Sequence, residues 1–207
     1  MWSNKTVMKI SRYFVVFLLV SASLVINACG GMTRSDKPAT KTWWLQPYTG
    51  MTEAQPSAPA LLLAVSITVI PGLDTDRILT LSQTAELNHY AGARWADNLP
   101  ELVTSLVART LKASPGFEVV PDRAPGGPED CDLKLEIREF FAAIDVSGAT
   151  TAVRVAMDGQ YQCGQGKAVA IQLSASVPVN GDRMSAIVAA FQQAMDGVMR
   201  DLLEKLQ

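Results

Sequence analysis

The stretch CDLKLEIREFFAAIDVSGATTAVRVAMDGQYQC, running from Cys131 to Cys163, decides the fold. Leu133, Leu135 and Ile137 alternate with Asp132, Lys134, Glu136 and Arg138, the period-two pattern of a strand with one buried face. On the way back Val153, Val155, Met157 and Tyr161 alternate with Arg154, Asp158 and Gln160. Between the two runs lies DVSGA at 145–149. A three-residue hairpin loop commonly ends on a left-handed residue, and Gly148, which has no Cβ to clash, stands where that residue is required. With Val146 to Gly148 as the loop, position 145 faces 149. Fourteen steps outward along each strand then bring Cys131 opposite Cys163, both on the apolar side. Opposed Cα atoms of an antiparallel pair lie roughly 4.5–5.5 Å apart, within reach of a disulfide. Closing the loop would stabilise the fold by ~3–4 kcal/mol in the chain-entropy picture. The alternatives are two buried thiols, or a bulge that shifts the register. Neither cysteine belongs to a vicinal CxxC, so the pair is structural on each of these readings.

Outward from the hairpin the chain alternates strands and helices. Trp43-Trp44-Leu45 starts ordered structure as a first strand, followed by a loop carrying Gly50, Pro56 and Pro59. Leu61 to Ile70 is a continuous apolar and β-branched run stopped by Pro71-Gly72, which reads as a buried strand. Arg77 to Thr84 and Glu86 to Tyr90 suit a second hairpin. Asn98 and Glu101 have capping-box spacing with Pro100 in the first turn. Leu99, Leu102, Val103, Leu106, Thr110 and Leu111 then repeat at helical spacing until Ser114-Pro115-Gly116. A short strand at Phe117 to Val120 and a turn-rich stretch from Pro121 to Asp130 lead into the long hairpin. After it, Ala168 to Val179 forms a strand. Met184, Ile187, Val188, Phe191, Met195, Val198, Leu202 and Leu206 form the stripe of a last helix, Met184 to Leu206. Such a stripe is either core or a lipid-contacting surface, and its spacing favours core. The order is that of an α+β fold: a mixed or antiparallel sheet with two main helices packed on one face.

The beginning of the chain sets its compartment. Lys5, Lys9 and Arg12 precede the apolar run Tyr13 to Ile26, and no acidic residue occurs before Cys29, the pattern of a secretory signal. That run has 14 residues, short of the roughly 20 that span a bilayer, which argues against the alternative of an uncleaved anchor. The exit is Ile26-Asn27-Ala28-Cys29, and Ile26 is too large for ordinary secretory cleavage. An aliphatic residue followed by a small residue and Cys resembles a lipobox, where the thiol takes a diacylglyceryl group before cleavage. A free Cys29, or cleavage near Ser21-Ala22-Ser23, is the alternative. The expected division is a lipoprotein signal peptide at 1–28, a lipidated N-terminus and tether at 29–41, and one periplasmic α+β domain at 42–207. Two or more acyl chains (diacylglyceryl and a palmitate-type acyl group) hold a protein stably to a membrane. Gly30 rather than Asp follows the cysteine, and the sorting habit of bacterial lipoproteins then favours the outer membrane, facing the periplasm. Twelve tether residues, Gly30 to Lys41, reach ~40 Å when stretched and about 20 Å as a coil, so the domain stays close to its membrane.

Charge and motifs exclude several functions. The chain has 18 basic and 20 acidic residues, three of the basic ones lying in the signal, so the mature chain carries 15 against 20. No basic cluster suggests a nucleic-acid partner. His89 is the sole histidine, and no Gly-x-Ser-x-Gly nucleophile motif accompanies it. A zinc site lacks ligands if Cys29 is lipidated and Cys131 and Cys163 are paired. GQGK at 164–167 resembles a phosphate loop only briefly: Tyr161 stands where the first glycine belongs and Ala168 replaces the Ser or Thr. Asp74, Asp76, Glu129 and Asp130 lie in turns, where carboxylates serve local hydrogen bonding. The reading is a protein that is not an enzyme, holds no metal and carries no cofactor beyond the lipid on Cys29.

Several segments in order resemble the ABC-type transport auxiliary lipoproteins, which are paraquat-inducible protein C-like. After the lipobox come Trp43-Trp44-Leu45-Gln46-Pro47, then Ile70-Pro71-Gly72-Leu73-Asp74, then Arg94-Trp95-Ala96-Asp97-Asn98-Leu99-Pro100-Glu101, a later strand and a long terminal helix. The chain departs from the family pattern after Asp74, where Thr75-Asp76-Arg77-Ile78 replaces an Arg-Pro-Gln-like run. The resemblance implies an accessory or docking component of MCE-type (mammalian cell entry) and ABC systems that move phospholipid or other hydrophobic molecules between membranes. It implies MCE-domain and other transport subunits as partners, and self-association into a homo-oligomeric ring. The alternative is a carrier that itself holds lipid or a small hydrophobic ligand, which needs an apolar cavity of roughly 300–1,000 Å³. Arg94 and Trp95 are the candidate interaction residues. The competing reading packs Trp95 against the first helix and pairs Arg94 with a neighbouring acid.

Overall fold

A computed structural model describes residues 39–50, 61–120 and 130–206. Cys29, the signal at 1–28, most of the tether, the loop prolines Pro56 and Pro59, and Glu129 lie outside the described residues. Eight strands and two helices occur among the described residues, and the strands form one mixed sheet.

The long strands β6 (Cys131–Ile144) and β7 (Thr150–Cys163) run antiparallel and form its spine. Their loop closes as the sequence requires. Asp145 N–H donates to the Ala149 carbonyl (2.9 Å), Gly148 N–H donates to the Asp145 carbonyl (3.0 Å), and Gly148 has φ 83°. The Asp145 carboxylate accepts from the Ser147 N–H and hydroxyl and from the Ala149 N–H. Those bonds, the Ser147 hydroxyl first, hold its carboxyl below the usual carboxylate range.

Cys131 faces Cys163, and a disulfide joins them at a Cα separation of 4.0 Å. That is shorter than an even ladder suggests. Gly164 N–H donates to the Asp130 carbonyl (2.8 Å), which makes the adjacent cysteine pair the non-hydrogen-bonded, closer kind. Tyr161 sits beside the bond, its hydroxyl 2.9 Å from the Cys163 sulfur and 3.4 Å from that of Cys131. Disulfide sulfurs carry no hydrogen, so the hydroxyl is the donor. Burial pushes its pKa up and keeps it protonated.

Between its two ends the hairpin departs from a simple count. The register shifts by one residue at Arg138 on β6 and shifts back at Thr151 on β7. The two irregularities cancel, so both the loop and the cysteines keep their expected partners. The Arg138 bulge also changes which β6 residues point inward. Cys131, Leu133, Leu135 and Ile137 are buried before it; Phe140, Phe141 and Ala142 are all buried after it.

β6 shares its other edge between two parallel partners. β2 (Leu61–Val69) pairs with 131–137, and β3 (Arg77–Ser82) pairs with 142–144. The chain leaves the edge between them through a turn at Pro71-Gly72, where Leu73 N–H donates to the Ile70 carbonyl and Gly72 takes φ 95°. Proline then glycine in that geometry is a type II turn. β4 (Leu87–Trp95) returns antiparallel to β3, and β1 (Lys41–Trp43) lies parallel to β4. Ordered strand therefore begins at Lys41, within the expected tether, while Trp44 is half exposed and Leu45 buried. β5 (Phe117–Val120) borders β2, and β8 (Val169–Pro178) borders β7.

Both helices cover one side of the sheet. α1 (Leu99–Ala113) packs on β2 and β5, and α2 (Met184–Leu206) packs on β7 and β8. Buried Ile187, Phe191, Met195, Val198 and Leu202 show that the apolar stripe of α2 belongs to the core. Asn98 precedes α1 as expected, but its side chain makes no capping bond. Instead Leu99 N–H donates to the Thr75 carbonyl (3.2 Å), so the turn after β2 satisfies the start of the helix. The buried reading of Leu61 to Ile70 also changes. Only Leu63 is fully buried, and Ser66 and Thr68 are exposed. The helices form a single layer, and the opposite face of β2 meets solvent.

Candidate functional site

That opposite face carries a charged groove. Two rows of residues cross three strands: Ser66, Lys134 and Gln160 in one, and Thr68, Glu136 and Asp158 in the next. Each row is fixed by register, because alternate residues of neighbouring strands share a face. Glu136 directly opposes Asp158, a like-charge pair that would weaken the ladder by itself. The bulge places Arg138 beside both. Its guanidinium lies 3.0 Å from the Glu136 carboxylate and 3.4 Å from that of Asp158. All three side chains are 40–49% exposed, so each ion pair contributes little stability, under about 1 kcal/mol. They line an open groove of alternating charge, about 440 Å³ in volume.

The floor of the groove is Gly159, opposite Leu135. A Cβ built there would stand 2.0 Å from the Lys134 carbonyl oxygen and 2.9 Å from Leu135 Cα. Backbone would have to move. Gly159→Ala is expected to destabilise the domain by about 1–3 kcal/mol or more, read as a lower urea midpoint in equilibrium unfolding. An unchanged midpoint would mean that the close approach of β6 and β7 is not required.

The sequence-derived candidates lie elsewhere. Arg94 is exposed on β4, 3.6 Å from the Asp76 carboxylate, in register with Thr42 and Arg77. Trp95 is 1% exposed. Its ring stands edge-on to Phe140 (5.8 Å, 72°) and Phe191 (5.1 Å, 86°), which stack on each other at 5.0 Å. Of the two readings of Trp95 its burial fits packing, but against β6 and α2 in the core rather than against the first helix. Trp95 N–H donates to the Asp76 carbonyl (2.7 Å), so the turn after Asp74 holds both the end of β4 and the start of α1. His89 is exposed on β4 and accepts from the Arg77 guanidinium at 2.6 Å. GQGK at 164–167 is a turn into β8, closed by Gly166 N–H to the Cys163 carbonyl. Among the described residues, no three His, Cys, Asp or Glu side chains gather as a metal-holding group. No described helix is long and apolar enough to cross a membrane.

A sequence model of the ABC-type transport auxiliary lipoprotein component family matches residues 44–202. The chain belongs to that family. The match spans every element from the turn after β1 into the last turns of α2. A comparison with curated proteins returns no match. Among solved structures, a crystal structure of a Xanthomonas campestris protein of the DUF330 family is similar at 20% identity with TM-score 0.65. It covers 79% of this chain and 92% of its own. A crystal structure of an uncharacterized protein has the same TM-score at 14% identity, covering 82% of this chain and 100% of its own. At such identities the likeness is one of fold. In this auxiliary lipoprotein the groove residues were not apparent from sequence, because they come from three strands whose order only the fold supplies. One signal was present: the alternation of apolar residues at 133, 135 and 137 breaks at Arg138-Glu139, two polar residues in succession, where the bulge lies.

Proposed function

We propose that this auxiliary lipoprotein is a docking component of an MCE/ABC-type system that moves phospholipid or other hydrophobic molecules between membranes. In this reading it is held to the outer membrane by lipid on Cys29 and faces the periplasm, where it engages MCE-domain and other transport subunits and associates with further copies of itself. ATP hydrolysis belongs to another subunit. The observation that carries the reading is the contrast between the two sides of the sheet. The helix side is filled by Trp95, Phe140, Phe191 and the aliphatic residues around them. The open side offers a groove lined by Lys134, Glu136, Arg138 and Asp158. Carrying lipid calls for an enclosed, apolar cavity; a groove open to solvent and edged by side chains of both charges suits a protein surface of complementary charge. Arg94 remains an exposed candidate for the same contact.

The test is photo-cross-linking in intact cells from Thr68 and Gln160, with captured species identified by mass spectrometry. Capture of an MCE-domain protein is the expected result. Lipid captured alone would favour the carrier, and capture of neither by a correctly localised protein would sink the transport reading.

A further inference from the structure

The corner of the sheet where ordered strand begins gathers two arginines and an exposed tryptophan. Thr42, Arg94 and Arg77 form one row across β1, β4 and β3. Trp95 N–H donates to the Asp76 carbonyl. The adjacent Arg77–Arg94 pair is therefore the non-hydrogen-bonded kind, with Cα atoms about 4.5 Å apart and side chains at their closest. Like charges set directly opposite weaken a ladder. At the Glu136–Asp158 pair, Arg138 stands within reach of both carboxylates. The arginine pair has no such shared counter-ion. Arg94 meets Asp76 only at 3.6 Å, and Arg77 donates to the His89 ring. No carboxylate among the described residues is within ion-pair distance of Arg77. Both arginines are exposed, so an anion from outside can reach them.

The tryptophan stands beside them. Trp43 and Leu45 pack on the core, whereas Thr42 and Trp44 are exposed, Trp44 at 51%. That alternation puts Trp44 on the side of Thr42 and Arg94. Charge and chain length together select the occupant. Twelve residues, Gly30 to Lys41, separate this corner from Cys29, a reach of about 20 Å as a coil and ~40 Å at most. Lipid on Cys29 would hold the corner within that distance of headgroups. The planar fork of arginine matches phosphate oxygens. Tryptophan favours the membrane interface, where its ring is in apolar surroundings and its N–H is wet.

We propose that this corner seats on the surface of the membrane that holds the anchor, with Arg77 and Arg94 on a headgroup phosphate and Trp44 at the level of the lipid glycerol. The inference rests on the lipid proposed for Cys29, and it gives Arg94 to a headgroup rather than to a transport subunit. β6, which carries the groove, is the third strand in from β1, about 14 Å away. A seat at the β1 edge leaves the groove free for a protein partner.

The test uses the mature lipidated protein in vesicles of phosphatidylethanolamine and phosphatidylglycerol, brominated near the top of the acyl chains. Flotation reports the anchor, and bromine quenching of tryptophan emission reports the seat. Trp43 and Trp95 give a background that Trp44→Phe defines. Trp44's share of the emission is expected to be quenched. Arg77→Gln with Arg94→Gln removes the like-charge opposition and should melt with the parent, which circular dichroism checks. That variant is expected to float as the parent does and to lose the quenching. Inorganic phosphate added at constant ionic strength should leave the parent's quenching in place. A protein that does not float loses the anchor and this seat together. One that floats with Trp44 unquenched overturns the seat alone and leaves the arginine pair to a carboxylate of a protein partner. Quenching that survives the double-glutamine change also overturns it. So does quenching abolished by inorganic phosphate, which would assign the pair to the free anion.

Discussion

Trp95→Ala is expected to destabilise the domain by about 3–5 kcal/mol, the range for deleting a large aromatic side chain from a packed core. The indole is 1% exposed and stands edge-on to both Phe140 and Phe191. Those rings come from β4, β6 and α2, so the cavity would open where the two halves of the sheet meet the terminal helix. The flanking rings already stack on each other and cannot both move to fill it. For a domain of this size each kcal/mol lowers the melting temperature by roughly 2–4 °C, so a fall of about 10 °C is expected. Arg94→Ala is the comparison. Its ion pair with Asp76 is 3.6 Å long with side chains 54% and 38% exposed, and losing it should change stability by less than about 0.5 kcal/mol. Thermal unfolding of the two variants separates core from surface. A Trp95→Ala protein that melted with the parent would contradict the burial and return Trp95 to the list of contact residues. Otherwise any loss of transport in that variant must be corrected for loss of folded protein.

The sequence resolved what is local and periodic. The Val146 to Gly148 loop, the cysteine register, both helices and the hairpin of 77–84 with 86–90, whose second strand runs on to Trp95, follow from alternation, helical spacing and turn chemistry, and none needs a distant partner. Failures occurred where a second layer decides. Leu61 to Ile70 reads as buried on both sides because β-branched residues fill it, yet Ser66 and Thr68 already mark the uncovered face. Trp95 stayed open between contact residue and core residue, because the packing that decides it comes from the return of β6 and α2 around it. Pairing β6 with β2 over one half and β3 over the other is not written in any segment. It arises because the Pro71-Gly72 turn lets two strands share one edge, and the groove arises with it.

Replacing both cysteines, Cys131→Ala with Cys163→Ala, is expected to cost about 3–4 kcal/mol, the entropy of a closed loop spanning 32 residues. The figure has a reason to fall toward its lower end. Gly148 and the Asp145 carboxylate set the register locally, so the reduced, unfolded chain retains some tendency to bring the two strands together. The structural damage should be uneven. The loop end keeps its own hydrogen bonds, whereas at the cysteine end β6 and β7 are closed on each other by the disulfide and the Asp130–Gly164 bond. Loosening there would reach Gly159 and Lys134 within a few residues, and with them the floor of the groove. Amide exchange should therefore quicken at 131–135 and 159–163 before it does at 140–144 and 150–155. Reduction with dithiothreitol should reproduce the double variant's lower melting temperature. If the thiols are shown to be free and melting is unchanged, the bond contributes nothing to stability, and the strand register alone, set by the Gly148 loop and the two offsetting bulges, holds the hairpin closed.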